Sequence, residues 1–302
     1  MQYNMEPAPN DMERSLLQKA VRRGNVELIE KVVQYLISVD DIKWLRKRLA
    51  VIGYEECWTY SNQLDYDCKK NKLLEQYKTL ACKVKNKNCD GLAYLARRFN
   101  EGNSSALVGN KKEQTAIRSV ANAVKKPVEF WEWIRSEPEY EKNKQRIDAA
   151  EKAMSKPSME RDKVIMLAAA YLSVAFPVPD TKDIAPNNRP NFPYWTAIDK
   201  HTSIGDQIIT DASEKIGIQP HSGKQLTFYL AGAECNQIKD SPFFEYAKRW
   251  KFNQMGFTLK QAEEKWKELK SLIIDEAIKE GELMRKRINN IKNDSDQFEL
   301  SF

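Results

Sequence analysis

The residues best suited to acid–base chemistry in this chain lie in the run Asp199-Lys200-His201-Thr202. A histidine close to an aspartate can act as a general base when the carboxylate orients its imidazole. The sequence places no nucleophile or oxyanion donor with this pair, so His201 is interpreted as a helix-surface or capping residue. We therefore predict no catalytic residues, and a helical enzyme with a site near Asp199 and His201 is kept as an alternative.

The sequence does not contain the phosphate-binding loop motif that nucleotide-binding proteins commonly use. A phosphate-binding loop needs Gly-x-x-x-x-Gly-Lys-Ser/Thr after a strand, because backbone amides cradle the phosphates and the lysine neutralises them. Gly223-Lys224 is followed by Gln225 and has no earlier glycine at the required spacing, and the run 109–111 (Gly-Asn-Lys) fails too. The sequence predicts no ATP hydrolysis and no cofactor.

The cysteines indicate buried free thiols. A structural zinc site needs clustered Cys and His ligands, and the chain has two histidines and no Cys-x-x-Cys pair. A secreted disulfide scaffold would be denser in cysteine. The sequence therefore predicts no metal site. The five cysteines are Cys57, Cys68, Cys82, Cys89 and Cys235.

A short apolar motif, Gln297-Phe298-Glu299-Leu300-Ser301-Phe302, follows the polar stretch 289–296. An extended peptide with alternating apolar anchors can dock in the grooves of a partner. The motif resembles the peptide by which many bacterial and phage replication proteins bind the ring-shaped sliding clamp. That resemblance implies that Gln297 forms a hydrogen bond at the pocket rim and that Leu300 and Phe302 fill the pocket. Phe298 stands where the family prefers Leu.

Residues 16–60 carry a second resemblance, in the runs Ala20-Val21-Arg22-Arg23-Gly24-Asn25, Arg46-Lys47-Arg48-Leu49-Ala50 and Glu55-Glu56. The stretch resembles part of the collar region of clamp-loader-like ATPases, most of all the replication-associated recombination protein (MgsA/RarA) family. It covers about 45 of 302 residues. The resemblance implies association into a homo-oligomer and action at stalled replication forks, and the missing phosphate-binding loop puts the family's ATP hydrolysis in doubt.

Basic residues cluster on several predicted helices, and the net charge is +6. A mild positive charge permits contact with phosphates without demanding it. Charged helix faces are usually just solvated, yet basic grooves with aromatic side chains can bind single strands. The residues predicted to contact single-stranded or forked DNA are Arg22, Arg23, Lys43, Arg46, Lys47, Arg48, Lys111, Lys112 and Arg118.

The elements that must position these residues are helices. Hydrophobic residues make up 41% and charged residues 30%, the balance of a folded globular chain, and only 11 Gly and 12 Pro interrupt it. The pattern predicts an all-α, multi-helix bundle with a long proline-rich loop at 177–193 and a flexible C-terminal tail. Helical spacing of apolar residues predicts helices over 11–38 with a break at Gly24, from 40–41 onward, and over 70–84, 90–100, 112–124, 127–136, 139–154, 160–176 and 258–288. A further helix is predicted through Ile204, Ile208 and Ile209.

The Gly-, Ser- and Asn-rich stretch 101–111 is the clearest internal break. We predict a flexible arm at 1–10, an N-terminal helical region at 11–100, a C-terminal helical region at 112–290 and a flexible tail with a partner-binding motif at 291–302. No apolar run reaches the length of a membrane span and residues 1–10 do not form a signal peptide, so a cytoplasmic protein is expected.

These patterns favour a non-enzymatic accessory protein of DNA replication, recombination or repair, tethered to a sliding clamp and of phage or bacterial origin. The alternative from another class is an interaction or inhibitor protein that captures a host replication or defence protein without contacting DNA.

Overall fold

A computed structural model describes residues 10–157 and 159–290, and over this part of the chain the fold is all-α, as predicted. The extended pairing in this part of the chain is limited to isolated β-bridges, and no strand is formed there. The helices are α1 (Asp11–Arg23), α2 (Val26–Ser38), α3 (Ile42–Cys57), α4 (Lys70–Ala81), α5 (Asn88–Asn100), α6 (Lys111–Lys125), α7 (Pro127–Ser136), α8 (Tyr140–Ala153), α9 (Glu160–Ala175), α10 (Ser203–Lys215), α11 (Pro220–Thr227), α12 (Pro242–Gln254) and α13 (Leu259–Asn289). A π-helical turn, Phe228–Gly232, continues α11.

The break at Gly24 is confirmed and has a local cause. Gly24 has φ 70°, a left-handed conformation that suits glycine, and its N–H donates to the Val21 carbonyl at 3.2 Å. The Asn25 side chain then accepts a hydrogen bond from the Leu28 N–H at 2.9 Å and starts α2.

Helix α1 begins without a side-chain cap. Asn10 holds the cap position with φ 64°, and its side chain makes no capping hydrogen bond. Asp11 is instead the first helical residue, and its carboxylate accepts a hydrogen bond from the Ser203 N–H at 2.7 Å. The carboxylate is therefore used to hold the start of α10 to α1.

The chain packs into two compact units, each made of separated segments. The first contains residues 10–42, 187–234 and 260–290, and the second contains residues 43–157, 159–186 and 235–259. The stretch 101–111, predicted to divide the chain, lies within the second unit. The units are therefore defined by contacts between residues that are distant in sequence. Local composition does not reveal such contacts.

In the first unit, α1 packs against α2, and α10 packs against α11. Gly281 of α13 lies against Tyr194 and Trp195, where an added Cβ would be 2.9 Å from the Trp195 nitrogen. Apolar side chains on one stripe of each helix form the core. Members with at most 1% exposure include Leu16, Leu17, Ile29, Val32, Ile273 and Met284.

In the second unit, α5 lies at the centre and contacts α6, α9 and α12. Gly91 lets α12 approach closely, because a Cβ there would lie well under 3.0 Å from the Phe243 and Phe244 backbone. Helix α9 is buried on almost every side between Val164 and Val174. That burial explains its apolar run. No helix in the described part of the chain combines the length and apolar character that crossing a bilayer requires.

The segment 83–86 forms isolated bridges that link several parts of the second unit. The Val84 N–H donates to the Lys182 carbonyl at 2.9 Å, and the Lys85 N–H donates to the Gln237 carbonyl at 3.0 Å. The buried Lys85 ammonium donates to the Ala81 carbonyl at 2.9 Å and satisfies an end carbonyl of α4. Helix α4 therefore ends at Ala81, short of the predicted limit of residue 84.

Candidate functional site

Asp199 is the centre of a buried polar cluster in the first unit. Its carboxylate is ion-paired with Lys19 and accepts a hydrogen bond from the His201 N–H at 2.9 Å. The same carboxylate oxygen lies 3.1 Å from His201 Nδ1. Thr202 then caps α10, its hydroxyl accepting from the Gly205 N–H at 3.1 Å. The run 199–202 is thus a helix-start turn built around one carboxylate.

The charged groups in this cluster stabilise one another's ionised forms. Burial alone would raise the pKa of the Asp199 carboxyl, but the charges of Lys19 and His201 outweigh burial and hold that pKa well below its ordinary value. Burial lowers the pKa of the Lys19 ammonium, which the Asp199 carboxylate opposes. Lys19 also donates to the Ser15 hydroxyl at 2.8 Å, so its charge is hydrogen-bonded as well as paired.

His201 has the orientation of a general base, with Asp199 as the carboxylate beside its ring. Its side chain is 46% exposed, and its ring lies edge-on to the Phe228 ring at 5.8 Å. Among residues 10–157 and 159–290, no hydroxyl or thiol lies within hydrogen-bond distance of the imidazole. A general base without an adjacent nucleophilic side chain can orient a water molecule, but it cannot support catalysis through a covalent intermediate on that side chain. The geometry gives His201 and Asp199 a structural role at the start of α10.

Two residues predicted to contact DNA, Arg22 and Arg23, belong to the same buried region. Arg22 is 1% exposed and its guanidinium donates to the Gly232 carbonyl. Arg23 donates to the Ala231 carbonyl at 2.7 Å. Both carbonyls end the π-helical turn and would otherwise lack helical partners. This arrangement directs Arg22 into the protein, away from any nucleic acid at the surface.

The basic cluster predicted on α3 divides into two parts. Lys43, Arg46 and Lys47 are exposed, and their spacing of three and four residues places them on one helix face. Arg48 faces elsewhere, since its guanidinium lies 3.3 Å from Glu55 and 3.4 Å from Asp162. Lys43 and Arg46 are exposed to an outside anion, and Arg48 is engaged within the second unit.

The exposed face of α6 is uniformly free of acidic side chains. Its positions are Lys111, Thr115, Arg118, Asn122 and Lys125, and all five are exposed. At 3.6 residues per turn they lie within an arc of about 80° and extend for about 21 Å. We name these five residues the α6 basic face. Sequence analysis singled out Lys111 and Arg118 but not the continuous face.

The start of α6 is rigidly built. Asn110 accepts hydrogen bonds from the Lys112 and Glu113 N–H groups, and the Glu113 carboxylate accepts from the Asn110 N–H at 2.7 Å. The Lys112 ammonium lies 4.4 Å from the centre of the Phe176 ring. Lys112 therefore packs partly on Phe176, the residue that follows α9, beside the α6 basic face.

A third basic group lies at the end of α5 and consists of Arg97, Arg98 and Lys251. The sequence did not indicate that these three residues belong together. Arg97 and Arg98 were visible as a pair in the sequence, but Lys251 of α12 was not connected with them. The structure brings α12 against α5, and the Lys251 residue is 8% exposed. The 154 positions between Arg97 and Lys251 left no local signal by which the sequence could join them.

The thiols and carboxylates do not assemble into a metal centre within the described ranges. Cys57, Cys68 and Cys89 are buried free thiols, and burial raises the pKa of Cys57 and Cys89. A raised pKa keeps a thiol protonated and unreactive. The residues predicted to bind a sliding clamp, Gln297, Phe298, Leu300 and Phe302, lie outside the described residues.

No family model matches this chain, and comparisons with curated proteins and with solved structures find no match.

Proposed function

We propose that this protein is a non-enzymatic accessory factor of DNA replication, recombination or repair that contacts DNA through the α6 basic face. The observation that carries the proposal is that this face presents three cations and no carboxylate over about 21 Å of helix. Phosphate backbones bind such surfaces by releasing condensed counterions, without a need for base-specific contacts.

The arrangement of cations is suited to a polyanion. Lys111 lies in the first turn of α6, where the helix dipole already favours negative charge. Arg118 and Lys125 follow at intervals of seven residues, about 10 Å apart along the helix axis. Like charges on one face repel each other, and a phosphate backbone lying along the face relieves that repulsion. The exposed cations Lys43 and Arg46 on α3 are a second candidate contact.

The proposal includes tethering to a sliding clamp through Gln297, Phe298, Leu300 and Phe302, which rests on the resemblance of this tail to clamp-binding peptides. Tethering raises the local concentration of DNA at the α6 basic face, so each contact needs only modest affinity. The collar-like stretch 16–60 supports self-association as part of the same proposal.

Salt-dependent DNA binding tests the DNA contact. The triple variant Lys111→Gln, Arg118→Gln, Lys125→Gln removes the charges of the α6 basic face and keeps polar, exposed side chains. Because each lost phosphate contact removes about 0.7–0.9 from the slope of log K against log salt, we expect that slope to become shallower by about 2–3. Fluorescence anisotropy with single-stranded and forked oligonucleotides at several salt concentrations measures it.

A matched control is the triple variant Lys267→Gln, Lys279→Gln, Lys286→Gln, which removes the same net charge from exposed positions of α13. The proposal expects this control to bind with nearly the wild-type slope. Equal loss in both triples would mean that net charge alone governs binding. If the wild-type protein shows no salt-dependent binding, capture of a partner protein without DNA contact becomes the better interpretation.

A further inference from the structure

We propose that the second unit contains a phosphate-binding pocket at the C-terminal end of α5, in which Lys251, Arg97 and Arg98 bind one phosphoryl oxyanion. The pocket is separate from the α6 basic face, and inorganic phosphate alone would satisfy it. The proposal therefore does not require that the protein bind DNA.

Lys251 is the first observation. This residue of α12 is 8% exposed, and its ammonium forms neither a hydrogen bond nor a close ion pair among the described residues, Glu101 being the carboxylate whose charge acts on it. A buried ammonium without a partner is unfavourable, since burial removes water and nothing replaces it. An anion entering the pocket would supply the missing partner.

Arg98 and Tyr94 supply donors beside it. The Arg98 guanidinium lies 5.2 Å from the centre of the Tyr94 ring. The Arg98 Nε and the Tyr94 hydroxyl are both buried and form no hydrogen bond of good geometry among the residues that the structure describes, although the two groups lie close enough to influence each other's pKa. Buried polar atoms are nearly always hydrogen-bonded, so two such donors next to an unpaired ammonium indicate a ligand.

The charge balance selects an anion. Arg98 lies 2.6 Å from Glu101, and Arg97 lies 3.7 Å from the same carboxylate. Three cations, Lys251 included, thus face one carboxylate, an excess of two positive charges. Burial lowers the pKa of Lys251 to about 8, and the charges of Arg98 and Arg97 act in the same direction while the Glu101 carboxylate opposes them. A phosphate dianion would neutralise the excess.

The pocket is held in place from both helices. Trp250, the neighbour of Lys251, meets the Tyr94 ring edge-on at 6.0 Å and donates its indole N–H to the Ser105 hydroxyl at 3.1 Å. The Asn103 side chain donates to the Arg98 carbonyl at 3.2 Å. The donors are therefore arranged before a ligand arrives, which lowers the entropic cost of binding.

The phosphoryl group has two possible sources, a free phosphate ion or the backbone of a nucleic acid strand. The test uses the full-length protein and two probes, inorganic phosphate and a fluorescein-labelled oligothymidylate. Calorimetric titration measures phosphate binding, anisotropy measures the oligonucleotide, and thermal unfolding compares sodium phosphate with sodium chloride at equal ionic strength.

Lys251→Met keeps the length of the side chain and removes its charge. We expect this variant to unfold at a higher temperature than the wild type in chloride, because an unpaired buried charge is gone. We expect it to bind phosphate at least about tenfold more weakly, as for loss of one charged hydrogen bond. Lys267→Met, at an exposed site on α13, is the matched control and should leave phosphate binding unchanged. Arg97→Gln is a second variant with the same expected loss, should Lys251→Met fail to fold.

The results for Lys251→Met distinguish a free phosphate ion from a backbone phosphate of nucleic acid. Loss of both phosphate and oligonucleotide binding in Lys251→Met, with phosphate competing against the oligonucleotide, identifies a backbone phosphate. Loss of phosphate binding alone identifies a free ion. The proposal is overturned if wild type and Lys251→Met respond to phosphate equally, because the general stabilising effect of phosphate salts then accounts for the whole response. The triple variant of the α6 basic face should bind inorganic phosphate normally, whatever its affinity for DNA.

Discussion

The Lys19 ammonium is ion-paired with the Asp199 carboxylate 180 positions away, and the two side chains are 4% and 1% exposed. The pair joins α1 to the turn before α10, two of the three segments that make up the first unit. A salt bridge so deeply buried stabilises a fold only while both partners are present, since either charge left alone is costly.

Removing the ammonium should therefore destabilise the protein strongly. We expect Lys19→Met to lower the free energy of unfolding by about 3–5 kcal/mol, because the Asp199 carboxylate stays buried without its cation. The double variant Lys19→Met, Asp199→Asn should be more stable than Lys19→Met alone, since a neutral amide replaces the stranded charge. Chemical denaturation measures both.

The control for that experiment is Lys83→Met in the second unit. Lys83 is ion-paired with Asp183, whose side chain is 77% exposed. Surface pairs of this kind contribute about 0–1 kcal/mol, so the change should be small. Similar losses in Lys19→Met and Lys83→Met would contradict the special role assigned to the buried pair.

Acid should weaken the first unit through Asp199. The pKa of this carboxyl is held well below its ordinary value by Lys19 and His201 despite burial. Its stabilising contribution is therefore present above the unfolded-state pKa, about 3.9, and is lost as the pH falls below that value toward the folded-state pKa. We expect Asp199→Asn to reduce the dependence of unfolding free energy on pH between about pH 4 and 2, by at most about 1.4 kcal/mol per pH unit. An unchanged dependence in that range would contradict the assignment.

The close contact between α5 and α12 in the second unit should depend on Gly91. An added Cβ would meet the Phe243 and Phe244 backbone, which no side-chain rotation can relieve. We expect Gly91→Ala to cost at least about 1–3 kcal/mol of stability and to weaken phosphate binding by separating α5 from α12. Gly102→Ala is the comparison, because Gly102 has φ +92° but open space around it. Its cost should be purely conformational and should leave phosphate binding intact, and the reverse order of effects would refute the packing argument.

The tail motif is tested on a purified bacterial sliding clamp. We expect replacement of Leu300 and Phe302 by Ala to weaken clamp binding by at least about tenfold, because these side chains are the proposed pocket anchors and each buried apolar side chain contributes about 1.5–3 kcal/mol. Glu299→Ala, at a position between the anchors, is the matched control and should bind as the wild type does. Surface plasmon resonance measures all three proteins, and absence of binding by the wild type would remove the clamp from the proposed function.

Helix positions were largely predictable because they depend on local chemistry. The helix predicted over 127–136 is observed as Pro127–Ser136, since proline suits the first turn and the apolar spacing continues to Ile134. The long last helix was predicted over 258–288 and is observed as Leu259–Asn289. The proline-rich loop also lies where its composition placed it. Helices α11 and α12 were not predicted as helices.

The site residues were less predictable because their environments come from distant segments. Arg22, Lys47 and Lys251 are all basic residues on helices, and nothing in their immediate neighbours distinguishes them. The structure buries Arg22 against a carbonyl 210 positions away, exposes Lys47 and encloses Lys251 beside Arg97 and Arg98.

By itself, the sequence determined the all-α class, most of the helix limits and the absence of a phosphate-binding loop. Hydrogen bonds four residues apart, caps and apolar spacing act within one or two helical turns, so the sequence displays them directly. Only the tertiary structure decided the two discontinuous units, the Lys19–Asp199 ion pair and the assembly of Lys251 with Arg97 and Arg98. The physical reason is that the burial and pairing of a charge depend on which distant segments exclude water from it.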